Sequence, residues 1–214
     1  MSTVDEDPDA AVQGAGLLEP GPGAPTGRFS LAPAPRGLRF VQDLVNTSLA
    51  EHSDGARPDL LADVGRAEAW LHRALGAWSA ATGSPAPVIQ LDEHDLSALR
   101  DHRELLRESL RSAPGAQAAP SREVAARVLL TVAPDGAVRY EPLESGWRAV
   151  RALTSAEALL AQASGTWPRL KACAYPPCGA CFYDSSPNRT RVWHDTKLCG
   201  NITNLRAARA RKRS

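Results

Sequence analysis

The four cysteines of this 214-residue chain all lie within one stretch of 27 residues near the C-terminus, from Cys173 to Cys199. The 172 residues before this stretch contain none. Small secreted domains that depend on disulfides distribute their cysteines through the whole chain. Free buried thiols would not need such close spacing, and a CxxC redox pair is expected in a βαβ setting that this segment lacks. The clustering therefore indicates a metal site.

Two ligand pairs account for the spacing within this stretch. Cys173 and Cys178 form a C-x4-C pair, and after fifteen residues His194 and Cys199 form an H-x4-C pair. Pairs of ligands on two short loops are typical of structural zinc sites, and three thiolates with one imidazole leave no position for a reactive water. Cys181, three residues after Cys178, offers an alternative set in which it replaces Cys173. The spacing alone leaves both sets open.

The residues after Cys199 predict a basic helix, because leucine, alanine, arginine and lysine all favour helical structure. Helical spacing puts Ile202 and three arginines on one stripe, and two further basic residues widen the charge around the helix. An arginine-rich helix that a metal site fixes at its root suits binding to phosphates of nucleic acid. The predicted basic side chains of the helix are Arg206, Arg209, Arg211, Lys212 and Arg213.

Charge is distributed very unevenly along the chain, although the formal net charge is only +1. Residues 1–26 carry five acidic and no basic side chains, whereas residues 165–214 carry ten basic and two acidic ones, a net charge of +8. Such an asymmetry indicates a polyanionic partner for the C-terminal end. It also suggests that the acidic head competes with nucleic acid for the basic helix.

Hydrophobic periodicity predicts a mainly α fold with a small β-hairpin. Four helices are expected in the body, and the turn signal Pro-Asp-Gly at 134–136 lies between two strand-like segments. Asp92 is a good N-cap for the third helix. The helices are predicted at 38–49, 61–81, 93–112 and 146–164, and the last buries Trp147, Val150, Leu153 and Leu160.

Three regions follow from these patterns. A disordered, acidic head rich in proline, glycine and alanine is predicted for residues 1–36. The helical domain is predicted for 37–165, with its hairpin near 127–142. The zinc-finger module with its basic helix is predicted for 166–214. The histidines outside this module (His52, His72, His94 and His102) are expected to be surface or half-buried residues.

The C-terminal module resembles the CGNR zinc finger. The resemblance is carried by Arg169-Leu170, Cys173, Pro177-Cys178-Gly179, Phe182, Asp184-Ser185, Asn188, Arg191, Trp193 and Cys199-Gly200-Asn201. The body is similar to the N-terminal helical domain of stress-induced transcription regulators, through Asp43-Leu-Val-Asn46-Thr47 and Ala69-Trp70-Leu71. Together the two resemblances cover about residues 38–213.

The resemblance implies one structural Zn²⁺ held by Cys173, Cys178, His194 and Cys199, and so favours Cys173 over Cys181. Two positions differ from the family pattern. His194 stands where the family has a cysteine, and Ile202 replaces the arginine for which the family is named, so that one arginine of the predicted contact stripe is lost. Zinc accepts the imidazole ligand.

The function implied is a cytoplasmic bacterial transcription regulator that binds DNA through the finger and the basic helix. Arg189, Arg191 and Lys197 are expected to add contacts to phosphate. The helical domain would sense a small-molecule ligand or mediate association, and a homodimer would double the DNA contacts, although no heptad pattern predicts one. No membrane segment or secretory signal is predicted.

Two other functions compete with DNA binding. The zinc could instead stabilise a protein–protein interaction module whose basic tail binds an acidic partner. Alternatively, the module could bind RNA by stacking bases on Tyr175, Phe182, Tyr183 and Trp193, unless these aromatic side chains form its core. An enzyme is not expected, because no catalytic triad, phosphate loop or carboxylate pair stands out, and Asn46 and Thr47 within a helix are more typical of packing.

Overall fold

The computed structural model describes residues 25–48, 58–111, 123–175 and 177–212. Within these ranges the fold is mainly α-helical, as the sequence predicts, and of its two antiparallel hairpins the sequence predicts the first. No helix in the described ranges is long and apolar enough to cross a membrane. The elements are α1 (Leu38–Val45), α2 (Val64–Thr82), α3 (Glu93–Ser109), β1 (Val128–Val132), β2 (Val138–Pro142), α4 (Gly146–Ala163), β3 (Leu170–Ala172), β4 (Cys181–Tyr183) and α5 (Asn201–Arg211).

Helix α1 lies in the centre of the molecule, and all eight of its residues are buried. It packs against α2, α3 and α4, and on another side against β4. Its polar residues Gln42 and Asp43 are as buried as its apolar ones. The helix is predicted to continue to residue 49. It ends at Val45 instead, and Asn46 and Thr47 form a turn in which the Thr47 hydroxyl donates to Leu44 O.

Local capping signals fix the ends of the other helices. The Asp92 side chain accepts from Asp95 N, and the Asp95 side chain accepts from Asp92 N, so that α3 starts with a capping box. Asp95 Oδ1 also accepts from Trp147 N in the first turn of α4. One aspartate therefore holds the starts of α3 and α4 together, which brings two helices distant in sequence side by side.

The predicted hairpin is present as β1 and β2, with Leu130 opposite Tyr140 and Val132 opposite Val138. Tyr140 reaches the body, where its ring meets Trp78 edge-on. The prediction for α4 is wrong at Leu160, which is half exposed, because Ala161 and Glu157 occupy the buried positions of that last part of the helix.

Two further predictions differ from the structure. Of the head, residues 1–24 lie outside the described residues, whereas residues 25–36 are part of the folded body and include a 3-10 helix at Thr26–Phe29. The side chain of Thr26 is buried because it donates to Asp43 on α1. Of the histidines, His52 lies outside the described residues, His72 and His94 are exposed, and His102 is buried between α3 and α4.

Candidate metal centre and nucleic-acid interface

The short hairpin of β3 and β4 carries the first pair of candidate metal ligands. Its three residue pairs run from Leu170 opposite Tyr183 to Ala172 opposite Cys181. Beyond the hairpin the chain turns tightly, with Cys173 N donating to Ala180 O and Cys178 N donating to Tyr175 O. This turn brings the sulfur atoms of Cys173 and Cys178 close together.

The second pair of ligands comes from the start of α5: His194 lies just before a π-helical turn at Thr196–Gly200, and Cys199 lies within that turn, which leads into α5. The Asp195 side chain caps this turn by accepting from Leu198 N at 3.0 Å. Gly200 leaves room for the indole of Trp193, since a Cβ at Gly200 would lie only 3.2 Å from that ring. The close approach of this ring explains the glycine after Cys199.

The four ligand atoms of Cys173, Cys178, His194 and Cys199 lie within 4.8 Å of one another. His194 Nδ1 is 3.2 Å from the Cys178 sulfur and 3.6 Å from the Cys199 sulfur, so that this nitrogen faces the thiols. All three cysteines are buried. The arrangement is compact enough for a single tetrahedral ion.

The thiols perturb one another strongly. A hydrogen bond with the Cys178 thiol lowers the pKa of Cys173 to about 4, and the same bond raises the pKa of Cys178. Burial, together with the negative charge on Cys173, raises the pKa of Cys199 to about 12. A divalent cation among these sulfurs stabilises all three as thiolates, and a set of three thiolates and one imidazole is one that zinc prefers.

Cys181 lies outside this group. It is fully buried on β4, in the main hydrophobic core rather than among the ligands. Burial raises the pKa of its thiol. Both of its backbone polar groups bind Asn46, the residue directly after α1: the Asn46 side chain donates to Cys181 O at 2.9 Å and accepts from Cys181 N at 2.8 Å. Gln42 also donates to Cys181 O.

Helix α3 also binds the metal-binding turn, through hydrogen bonds of Arg107. Arg107 Nε donates to Gly179 O at 3.2 Å, and its Nη2 donates to Val45 O at 2.6 Å. The guanidinium group thus joins the end of α1 to the turn between Cys178 and Cys181. In addition, Ala172 N donates to Leu110 O at 3.0 Å. The finger is therefore bonded to the helical body rather than tethered to it by one flexible linker.

The N-terminal strap, which we define as residues 25–34, packs on the metal centre as well. Phe29 and Leu31 contact the cluster of buried residues around the ligands, and the Phe29 ring meets the His194 ring edge-on at 6.1 Å. The strap is held to α1 by Thr26 on Asp43 and by Ala34 N on Gln42. The sequence gives no sign of this contact, because the strap has no periodicity and the contact is long-range.

Asp184 organises the loop between the two ligand pairs. Its buried carboxylate accepts from Lys171 Nζ at 2.8 Å, from the Ser186 hydroxyl and from Arg191 N. Burial raises its pKa, but these bonds outweigh that effect and hold the pKa at about 2. Lys171 also donates to the carbonyls of Arg189 and Arg191. Arg169 Nη1 donates to Asp184 O and to Ser186 O as well, so the ion pair and this arginine together hold the loop.

Among the side chains predicted to bind nucleic acid, Arg191 differs from the rest. It is half-buried, donates to His194 O at 2.7 Å and lies over the Phe182 ring at 5.2 Å. Arg206 lies over the Tyr175 ring at 5.3 Å, yet remains exposed. Arg213 lies outside the described residues. The exposed members of the predicted set are Arg189, Lys197, Arg206, Arg209, Arg211 and Lys212.

The aromatic side chains of the finger form its interior. Tyr175 and Phe182 are at most 2% exposed, and Tyr183 and Trp193 are half-buried. Ile202, at the root of α5, packs against the same cluster as the ligands. The first position of the predicted contact stripe thus belongs to the core of the finger, and the exposed stripe starts at Arg206.

The fold and the metal centre define a zinc-finger protein with a helical body. The family model described as "Putative stress-induced transcription regulator" (ABATE) matches residues 38–174, and the CGNR zinc finger model matches residues 169–212. The first match spans more than half of the chain, so the chain belongs to the ABATE family. The finger match and the ligand geometry together establish one structural zinc site. No curated protein matches the chain.

Proposed function

We propose that this protein is a zinc-dependent transcription regulator that binds DNA through α5 and the loop held by Asp184. The observation that carries the proposal is the position of α5. The helix begins two residues after the zinc ligand Cys199, contains no acidic residue and exposes the basic side chains of its C-terminal half, Arg206, Arg209 and Arg211. Zinc binding fixes the direction of this helix, and the exposed cations can neutralise phosphates.

DNA rather than RNA is the proposed partner because two of the four aromatic side chains of the finger are buried and the other two are half-buried. Recognition of unpaired RNA bases needs accessible aromatic faces. In the finger, Tyr175 and Phe182 are buried, and Arg206 and Arg191 lie over the Tyr175 and Phe182 rings, respectively.

The residues that could have lined an enzyme pocket are Asn46 and Thr47. Both are fully buried and hydrogen-bonded.

The test is fluorescence anisotropy with a labelled DNA duplex over a range of salt concentrations. Arg209→Ala/Lys212→Ala should weaken binding and reduce the slope of log K against log salt by about 2, because two phosphate contacts are lost. Arg73→Ala/Arg148→Ala, which removes two exposed charges from the body, is the matched control. A chelator should abolish binding. Equal effects of the two double variants would contradict the proposal.

We propose in addition that the helical body senses a ligand or associates with a second protein surface. One observation favours association: the hairpin exposes Leu130, Val132 and Val138, each more than 60% accessible, beyond the point where Tyr140 anchors it. Exposed apolar patches of this kind are common at protein interfaces. Sedimentation of the protein and of Val132→Lys tests this role, and association that is unchanged in the variant would remove the hairpin from it.

A further inference from the structure

A cavity of about 430 Å³ opens between α3 and α4, far in sequence from the zinc ligands. Its volume falls within the usual range for small-molecule sites. Its walls combine an apolar part with several titratable side chains. The lining consists of Ala98, Asp101, His102, Glu104, Leu105, Glu108, Glu123, Val124, Trp147 and Arg151.

Four of the ten lining residues are acidic: Asp101, Glu104, Glu108 and Glu123. Asp101, Glu104 and Glu108 project from successive turns of α3 because they are spaced by three and four residues. Glu104 is paired with Arg103 and Arg107. Within the part of the chain that the structure describes, Asp101 and Glu108 have no ion-pair partner. Both carboxylates are exposed, so among the described residues they give this side of the cavity a negative charge that no ion pair balances.

The one arginine of the lining does not neutralise these carboxylates. The Arg151 guanidinium lies over the Trp147 ring at 4.6 Å from its centre, and its ion-pair partner is Glu144, at 3.9 Å. Glu144 is not part of the lining. Trp147 and Arg151 thus contact each other and line the cavity together with the carboxylates of α3.

His102 supplies a neutral acceptor at the buried side of the cavity. Its Nε2 is 2.8 Å from Thr154 Oγ1, whose own hydrogen is directed to Val150 O and Arg151 O. When the Thr154 hydroxyl donates to either carbonyl, it accepts from Nε2–H, and Nδ1 is then the unprotonated acceptor of the ring. Burial and the nearby charge of Arg151 lower the pKa of His102 to about 4, so that the ring stays neutral at physiological pH.

The spacing of these groups selects the kind of cation. Among the described residues, the zinc ligands are the one group of three or more metal-ligating side chains whose ligand atoms cluster closely. The cavity carboxylates are spread along α3 instead. Separated acceptors beside Leu105 and Trp147 suit an extended molecule with N–H donors and an aliphatic part, rather than a metal ion.

We infer that this cavity binds a small aliphatic amine, with its ammonium groups on Asp101 and Glu108, an N–H donor on His102 Nδ1 and its carbon chain along Leu105 and Trp147. The inference rests on the proposed sensing role of the helical body and gives that role a ligand class. It is independent of DNA binding, because the cavity shares no residue with the finger or with α5.

The test is calorimetric titration of the zinc-loaded protein, without DNA, with 1,6-diaminohexane. The neutral isostere 1,6-hexanediol and Mg²⁺ serve as comparison ligands. We expect saturable binding of the diamine at one site per chain and none of the other two. Asp101→Asn/Glu108→Gln should weaken binding about tenfold or more, since two exposed charge pairs are removed. Glu141→Gln, an exposed carboxylate on β2, is the matched control.

Three results would overturn the inference: no heat of binding with the diamine, equal binding of the diol or Mg²⁺, or unchanged affinity in Asp101→Asn/Glu108→Gln. Far-ultraviolet circular dichroism establishes that the variants are folded. DNA affinity measured separately on the same preparations distinguishes a failure of this site from a failure of the DNA-binding proposal.

Discussion

Gly37 shows how a single missing side chain determines the packing around α1. The carboxylate of Glu157 occupies the space where a Cβ on residue 37 would lie. That carboxylate accepts hydrogen bonds from Trp78 Nε1 and from the Tyr140 hydroxyl, and so joins α2, β2 and α4. Burial raises the pKa of Glu157, against the lowering effect of these bonds. The start of α1 therefore packs directly against the buried carboxylate of Glu157.

Gly37→Ala should destabilise the protein by about 1–3 kcal/mol, because the new methyl group displaces a carboxylate that two donors hold in place. The backbone at Gly37 has a φ of −69°, which alanine adopts without strain. Gly76→Ala on α2 is the control: no atom lies near its added Cβ, and alanine favours a helix by about 0.5–1 kcal/mol. Urea unfolding measures both, and similar effects for the two variants would contradict the packing described.

The choice of zinc ligands is also decided at the residue scale. Cys181→Ala should retain one zinc per chain, because its sulfur lies in the main core, whereas Cys173→Ala should lose most of the metal. Atomic emission analysis of the purified variants measures the zinc content. Zinc loss in Cys181→Ala together with retention in Cys173→Ala would reverse the assignment.

At the scale of elements, α1 connects the helical body to the finger through side-chain amides. Asn46 makes two hydrogen bonds to the backbone of Cys181, and Gln42 makes a third. These bonds replace the further strand that the short sheet of β3 and β4 lacks beside Cys181. The position of β4, and through it of the Cys173–Cys178 turn, depends on an element far away in the sequence.

Asn46→Ala should destabilise the protein by about 2 kcal/mol, because the N–H group of the buried Cys181 loses its acceptor and its C=O group loses one of its two donors. Hydrogen exchange should become faster at β4 in particular. Asn204→Ala, at an exposed position on α5, is the control and should leave exchange at β4 unchanged. Exchange at β4 that is equally slow in both variants would show that the amide does not hold the finger.

Elements with local signals could be predicted from the sequence, and those made by distant contacts could not. The capping box at Asp92 and the Pro-Asp-Gly turn are encoded in a few neighbouring residues, and both are present. The hairpin of β3 and β4 has strands of three residues, too short for a periodic pattern, and depends on α1 and α3 for support. The strap is ordered by Asp43 and Gln42, which composition does not reveal.

The metal centre itself is predictable because ligand type and spacing are local properties. The four residues inferred from the resemblance are the ones that the structure brings together. The spacing of the cysteines could not decide between Cys173 and Cys181, since that choice depends on which sulfur the core of the body buries. For the same reason the burial of His102 was not foreseen: it follows from the packing of α3 on α4.

At the scale of the whole molecule, the two ends of the chain carry opposed charges, and the strap links the acidic end to the zinc centre. The five acidic residues of the head precede a strap that packs on the zinc centre, from which α5 starts. An acidic segment attached near a basic helix has a high effective concentration there. The fold thus supports competition between the head and DNA.

Deleting residues 1–24 should tighten DNA binding about threefold or more at low salt, and the gain should disappear at high salt as the charges are screened. The deletion must stop before Thr26, whose bond to Asp43 belongs to the fold. A variant with the head acids changed to their amides separates charge from length. Affinity that is the same with and without the head at low salt would exclude the competition.

The bond between Asn46 and Cys181 has a consequence for the order in which the protein can be completed during synthesis. The two residues are 135 positions apart, so the amides of α1 have no partner on β4 until almost the whole chain has left the ribosome. The central helix is therefore synthesised early, but its contacts with β4 form only after Cys181 has been made. Contacts of such long sequence separation slow folding, so the joining of the helical body to the finger is the slow part of completing this fold.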